Sequence, residues 1–122
     1  MRQRMQMKDV VEMGGDLALN LNQFLDDFRH ETEDKGSLIA IEPPLTGDPS
    51  FDARLAATAE CLAKESGVRI PLWVWHDARY AAEPVWAFQG SNPEARIYLR
   101  QTTPAEFASR NLYTGDNVLS RC

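Results

Sequence analysis

The chain of 122 residues carries a formal net charge of −5, with 43% hydrophobic and 25% charged side chains. These proportions are typical of one globular domain, and a chain of this length can bury a core without metal or disulfide staples. The acidic balance disfavours a partner held mainly through phosphates, because nucleic-acid affinity depends on clustered Lys and Arg. The sequence also has no apolar window of about 18 residues, so we expect no membrane partner.

The two cysteines, Cys61 and Cys122, lack the spacing of a metal site. We therefore expect two free thiols, which fits a reducing compartment. The first residues are polar where a secretory signal would need an apolar run. Together these features predict a soluble cytoplasmic protein.

A pair of glycines, Gly14 and Gly15, separates a methionine-rich polar start from the rest of the chain. Glycine is a poor helix former, so a helix running through this point is disfavoured. We therefore expect residues 1–15 to form a flexible N-terminal arm. Residues 16–122 are expected to form a single globular helical domain.

The clearest helix pattern begins at Asp16, which can cap the helix. Apolar residues then recur at spacings of three and four, so they share one face that must be buried. The opposite face carries Asp26 and Asp27, and the polar run that follows is expected to end the helix at Gly36. The apolar face comprises Leu17, Leu21, Phe24, Leu25 and Phe28.

A second helix is predicted after a proline-containing linker. Pro43-Pro44 disfavour a helix or a central strand, so the preceding apolar run is expected to be a docked, extended linker. Asp48 followed by Pro49 is typical of a helix start, and Gly67 supplies a stop. An alanine-rich apolar face lies between them.

The three tryptophans lie in one short segment that Pro71 and Pro84 interrupt. We expect an irregular Trp/Pro-rich segment, with a single helical turn after Pro71 and an extended piece around Val85–Phe88. The fold class predicted is mainly α, a small domain of about four helices. The alternative left open is an α+β fold with one short hairpin at residues 70–90.

The C-terminal part carries several helix boundary signals. Asn92 followed by Pro93 predicts a helix start, and Thr103 with Glu106 matches a capping box for the next helix. Asn111 can adopt the left-handed conformation that ends a helix. We therefore expect the end of the chain to pack rather than fray.

No reactive constellation stands out. His30 lies near Asp26 and Asp27, and His76 could join them to hold a metal, which is the basis of a metal-dependent hydrolase alternative. The spacing is also that of a solvated acidic helix end, which we favour. No Ser or Cys beside an activating His and no phosphate-binding glycine loop is evident, so we predict no cofactor, no metal and no catalytic residue.

The aromatic side chains are expected to serve the core and a partner surface, because interfaces are enriched in Trp and Tyr. The acidic first helix and the exposed part of the Trp-rich segment would make the contacts. The predicted partner-binding residues are Phe24, Phe28, Trp75, Trp86, Asp26 and Asp27.

Four sequence blocks together resemble a family of small uncharacterised bacterial proteins. The blocks are a Gly-Asp-Pro helix start, a Pro-x-Trp segment, a second Trp with Phe, and an ending of the form Pro-x-x-Phe-x-x-x-Asn. The matching positions are Gly47, Asp48, Pro49, Pro71, Trp73, Trp86, Phe88, Pro104, Phe107 and Asn111.

That resemblance implies an antitoxin-like or accessory role, because such proteins accompany nucleotidyltransferase-like or toxin-like genes. We therefore expect a non-enzymatic interaction module that binds and masks a protein partner encoded by a neighbouring gene. A homodimer and a DNA-binding regulator remain alternatives. The resemblance implies no catalytic residues.

Overall fold

The computed structural model describes residues 4–86 and 92–115 of the chain. These residues contain six α-helices and one two-stranded sheet. The fold is therefore mainly α, as predicted. The elements are α1 (Met7–Glu12), α2 (Leu17–His30), α3 (Lys35–Ile39), α4 (Pro49–Ser66), β1 (Val85–Trp86), α5 (Pro93–Thr102), α6 (Ala105–Ala108) and β2 (Leu112–Tyr113).

Helix α4 is the central element of the core. Its start matches the prediction, because the Asp48 side chain accepts a hydrogen bond from Ser50 N and Pro49 occupies the first turn. Gly67 ends the helix with a φ of 70°, which is the left-handed conformation that glycine adopts without strain. Most of residues 52–63 are buried, and α3, α6 and β2 pack against this helix.

Helix α2 also forms as its apolar pattern predicted. The Asp16 side chain accepts a hydrogen bond of 3.1 Å from Leu19 N, which caps the helix. The buried face includes Phe24 and Phe28, whose ring centroids lie 6.0 Å apart. The helix ends at His30 and not at the expected Gly36, which lies in the next helix, α3.

The N-terminal residues that the structure describes differ from the expected flexible arm. They form α1, and both Met7 and Val10 are 0% exposed within the main core. The side chain of Asn20 in α2 donates hydrogen bonds to Val10 O at 3.1 Å and to Gly14 O at 2.8 Å. The Gly14-Gly15 pair therefore forms a turn between two packed helices, because both glycines have a positive φ.

The expected extended linker also contains a helix. Residues Lys35–Ile39 form α3, and its residues Leu38 and Ile39 are buried. Between α3 and α4 the chain is irregular, from residue 40 to residue 48. Burial of two adjacent apolar side chains outweighs the weak local helix signal, because tertiary packing routinely overrides propensity.

The Trp-rich segment forms two 3-10 turns, Leu72–Trp75 and Asp77–Arg79. Strand β1 follows, and it pairs in parallel with β2, with Val85 opposite Leu112. The hairpin alternative is wrong for the described part of residues 70–90, because the partner of β1 lies after α6. The expected Phe88 position lies outside the described residues.

The end of the described chain is anchored, although not by the expected capping box. Thr103 donates a hydrogen bond of 2.6 Å to Leu99 O and accepts one from Gly115 N. Helix α6 has no side-chain cap. Asn111 adopts the predicted left-handed conformation with a φ of 65° and turns the chain into β2.

Cys61 is 5% exposed on α4 and is disulfide-bonded. This corrects the expected free thiol at Cys61, while Cys122 lies outside the described residues. Within the ranges 4–86 and 92–115, no helix combines the length and the apolar character needed to cross a bilayer.

Candidate interaction surfaces

A groove of about 540 Å³ lies between the α3 region and the first 3-10 turn. We call it the Trp73 groove. Its lining combines apolar side chains with one acid and one base, which is the mixed character of a recognition site. The lining residues are Gly36, Ala40, Glu42, Arg69, Pro71, Leu72 and Trp73.

The base of the Trp73 groove is held in place by contacts across the chain. Trp73 is 7% exposed, and its indole Nε1 donates a hydrogen bond of 2.9 Å to Ile39 O. The guanidinium carbon of Arg79 lies 5.0 Å from the centre of the Trp73 ring. The ring is therefore fixed on one side by a hydrogen bond and by a cation–π contact.

The acid of the groove, Glu42, is also fixed. Arg79 Nε and Nη2 lie 3.1 and 3.0 Å from Glu42 Oε2, and His76 Nδ1 lies 3.2 Å from the same atom. Arg79 is 0% exposed and also donates to the carbonyl oxygens of Pro43 and Asp52. The buried arginine thus sets the position of the carboxylate that faces the groove.

Large apolar side chains remain exposed beside this fixed frame. Leu72 is 73% exposed, Ile41 is 52% exposed and Trp75 is 47% exposed. Arg69 is exposed at the groove and makes no ion pair with any residue in the described ranges. Leu72 and Arg69 line the groove, while Ile41 lies between the lining residues Ala40 and Glu42 in the chain.

Two of the predicted partner anchors lie in the core. Phe24 is 0% exposed and Phe28 is 1% exposed, because they belong to the apolar face of α2 that packs inward. Lys35 Nζ covers the Phe28 ring at 4.7 Å from its centre. This placement corrects the expectation for these two residues, since a buried ring cannot contact a partner.

The two acidic residues predicted to contact a partner, Asp26 and Asp27, differ in their burial. Asp26 is exposed on α2. Asp27 is 5% exposed, and its Oδ2 accepts a hydrogen bond of 2.8 Å from Met5 N. Asp27 therefore joins the segment just before α1 to α2, and of the two acids Asp26 is the one on the surface.

The two histidines do not form a metal site within the described residues. His30 Nδ1 lies 2.7 Å from Asp26 O, and His76 Nδ1 lies beside Glu42. No group of three or more His, Cys, Asp or Glu suited to a metal ion occurs in residues 4–86 and 92–115. The hydrolase alternative therefore has no ligand set there.

Trp86 belongs to a second surface, which we call the α5 surface. Its ring stacks on Tyr113 with centroids 4.6 Å apart, because the parallel register places the two residues opposite each other. The guanidinium carbons of Arg96 and Arg100 lie 5.1 and 5.3 Å from the Trp86 ring centre. Ile97, which is 54% exposed, lies beside the two arginines on α5.

Next to the Trp75 ring, a buried ion pair connects α4 to Arg110, which follows α6 in the chain. Arg110 is 0% exposed, and its Nη1 lies 2.7 Å from Glu60 Oε1. Lys64 Nζ bridges Glu60 Oε2 at 3.0 Å and Glu106 Oε2 at 2.9 Å. Burial opposes ionisation of Glu106, but the hydrogen bond from Lys64 and the charges of Lys64 and Arg110 hold its pKa below the usual 4.5.

The same bridge acts on the lysine in the opposite direction. The hydrogen bonds to Glu106 and Glu60 raise the pKa of Lys64 above its usual 10.5. Both shifts favour the charged forms, so the bridge is an ion pair at neutral pH. The bridge fixes α6 against α4.

The sequence pattern pointed to the exposed Trp75 and to the half-buried Trp86, but not to the apolar groove. Ile41 and Leu72 follow no helical or strand period, so no pattern distinguished them from core residues. Arg69, two residues before Pro71, is visible in the sequence. Its proximity to Glu42 depends on the packing of α3, which was not predicted.

Comparison of the chain with protein-family models, curated proteins and solved structures found no match in any of the three.

Proposed function

We propose that this protein is a non-enzymatic protein–protein interaction module that docks a partner on the Trp73 groove. The observation that carries the proposal is the group of exposed apolar side chains on a fixed frame. Leu72 and Ile41 are more than half exposed, while the adjoining Trp73 and Glu42 are fixed by hydrogen bonds. Exposed apolar groups that border a rigid groove are typical of binding surfaces.

The resemblance of the sequence blocks supplies the finer part of the proposal. An antitoxin-like or accessory protein would bind and mask the product of a neighbouring gene. Trp75 and the exposed Asp26 remain available for such contacts, whereas Phe24 and Phe28 do not. The disulfide at Cys61 does not fit the reducing compartment that two free thiols would indicate.

Co-purification with the products of the neighbouring genes tests this function. The variant Leu72→Asp places a charge in the lining of the groove, and Ile41→Asp places one at the exposed residue between the lining residues Ala40 and Glu42. The matched control is Leu19→Asp, because Leu19 is 53% exposed on α2. We expect the two groove variants to weaken the complex by at least about tenfold, since a charge buried in an apolar contact is costly.

The proposal fails if the native protein elutes alone and binds none of these gene products. It also fails if Leu19→Asp weakens a complex as much as Leu72→Asp does, because the contact would then lie elsewhere. Circular dichroism of each variant confirms that it keeps the helical fold.

A further inference from the structure

The α5 surface carries two positive charges that have no acidic partner in the described parts of the chain. Arg96 and Arg100 are both exposed. The ion pairs of residues 4–86 and 92–115 include neither of them. Within those ranges no carboxylate pairs with either arginine, on a chain whose net charge is −5.

The two guanidinium groups are held in place before any ligand arrives. Arg96 and Arg100 are four residues apart on α5, which places them on one face of the helix. Both lie within 5.3 Å of the Trp86 ring centre, and Arg100 also lies 5.4 Å from the ring of Tyr113. Arginine stacked on an aromatic ring loses less conformational freedom when it binds a carboxylate.

The geometry favours carboxylates of a protein over a nucleic acid. Nucleic-acid binding on such a surface would use a ring face for stacking on a base. The Trp86 ring already contacts Tyr113, Arg96 and Arg100, and the Tyr113 ring already contacts Trp86 and Arg100. Two free arginines also make a small footprint for a phosphate backbone. The exposed Ile97 adds an apolar contact, which suits a peptide segment.

We propose that the α5 surface binds an acidic segment of another protein. Two carboxylates of that segment pair with Arg96 and Arg100, and an apolar side chain of the segment packs on Ile97. Planar guanidinium groups match carboxylates in a bidentate geometry. This surface is separate from the Trp73 groove in the residues that form it, so the inference goes beyond the proposed function and stands independently of it.

The test uses a synthetic acidic peptide in which Glu and Asp alternate with Leu. The chain has three tryptophans, so the indole N–H signal of Trp86 can be assigned by comparison with Trp86→Phe in a two-dimensional NMR spectrum. The peptide is expected to shift the Trp86 signal saturably at low salt. The double variant Arg96→Gln/Arg100→Gln should weaken this binding by at least about tenfold.

Arg69→Gln is the matched control, because it removes one exposed positive charge at the groove. It should leave the affinity for the peptide within about twofold. Leu72→Asp should also leave it unchanged, which separates this inference from the proposed function. The inference is overturned if the peptide gives no saturable shift below about 1 mM.

Three further outcomes also count against the inference. The first is a loss of affinity in Arg69→Gln as large as in the double variant. The second is tighter binding of a thymidine oligonucleotide than of the peptide at the same salt concentration. The third is self-association of the native chain that the double variant abolishes, because the occupant would then be a second copy of this chain.

Discussion

At the scale of single residues, buried charge distinguishes this molecule from a simple apolar helical domain. Arg79 and Arg110 are among the largest side chains that are fully buried. Each donates to one carboxylate and to backbone carbonyl oxygens, since a buried guanidinium needs acceptors for its donors. Sequence alone assigns arginine to the surface, because charged residues are almost never fully buried unless they are paired.

The carboxyl of Glu106 gives a prediction about pH. Its lowered pKa means that its contribution to stability is complete above the pKa of the unfolded chain and is lost as pH falls through the folded pKa. Glu106→Gln removes this contribution at every pH. The difference in free energy of unfolding between the native protein and Glu106→Gln should therefore shrink from pH 7 to about pH 3 in urea titrations.

Lys64→Met provides the check on the cause of that pH dependence. It removes the donor, so the effects of Lys64→Met and Glu106→Gln should not add in the double variant. A difference that stays constant from neutral to acid pH would contradict the assignment of the lowered pKa to Glu106.

At the scale of elements, local signals account for the long helices. Asp16 and Asp48 cap α2 and α4 with hydrogen bonds from backbone N–H groups, and Asn92 does the same for α5. Helices α1 and α3 have six and five residues, too few for a periodic pattern to be decisive. These short helices form because their apolar side chains are buried by the rest of the molecule.

Replacing either of two glycines by alanine is expected to change the free energy of unfolding, in opposite directions at the two positions. Gly67 has a φ of 70° and no atom within 4 Å of an added Cβ, so Gly67→Ala introduces backbone strain alone. It should lower the free energy of unfolding by about 1 kcal/mol. Gly36 lies in α3, and an added Cβ would meet Val68 Cβ at 3.9 Å, which is ordinary contact.

Gly36→Ala should therefore raise the free energy of unfolding by up to about 1 kcal/mol, because alanine favours the helix and restricts the unfolded chain. Urea unfolding of the two variants measures both effects. The same sign for the two substitutions would contradict the conformations assigned to these glycines.

At the scale of the whole molecule, the Arg110 network joins elements that are distant in sequence. Its Nη1 pairs with Glu60 of α4 at 2.7 Å and donates to Glu106 O of α6, and its Nη2 donates to Val74 O at 2.9 Å. The Arg110 guanidinium also lies 5.0 Å from the Tyr80 ring. This one side chain therefore holds α6 and the first 3-10 turn against the central helix.

Arg110→Leu tests that role. It removes the buried positive charge and its hydrogen bonds to Glu60 Oε1 and to the carbonyl oxygens of Glu106 and Val74, while Lys64 still pairs with Glu60 Oε2. We expect the free energy of unfolding to fall by about 3–5 kcal/mol in chemical denaturation. Arg69→Leu is the exposed control and should change it by less than about 0.5 kcal/mol. Equal stability of the two variants would show that the Arg110 network contributes little.

The groove and the α5 surface differ in how far they could be predicted. The sequence analysis named Trp75 and Trp86, because tryptophan marks interfaces as well as cores. It also named Phe24 and Phe28, which lie on the face of α2 that its own pattern predicted to be buried. Amphipathic spacing identifies an inward face, so residues on that face are poor candidates for partner contact.

The sequence by itself determined the mainly α class and the helices α2, α4 and α5, because caps, prolines and apolar spacing act over a few residues. Only the tertiary structure decided that Val85 and Trp86 pair with Leu112 and Tyr113, and that Arg79 and Arg110 are buried. Those outcomes depend on contacts between residues more than twenty positions apart. No local sequence pattern predicts such contacts, because they depend on which parts of the chain the helices cover when they pack together.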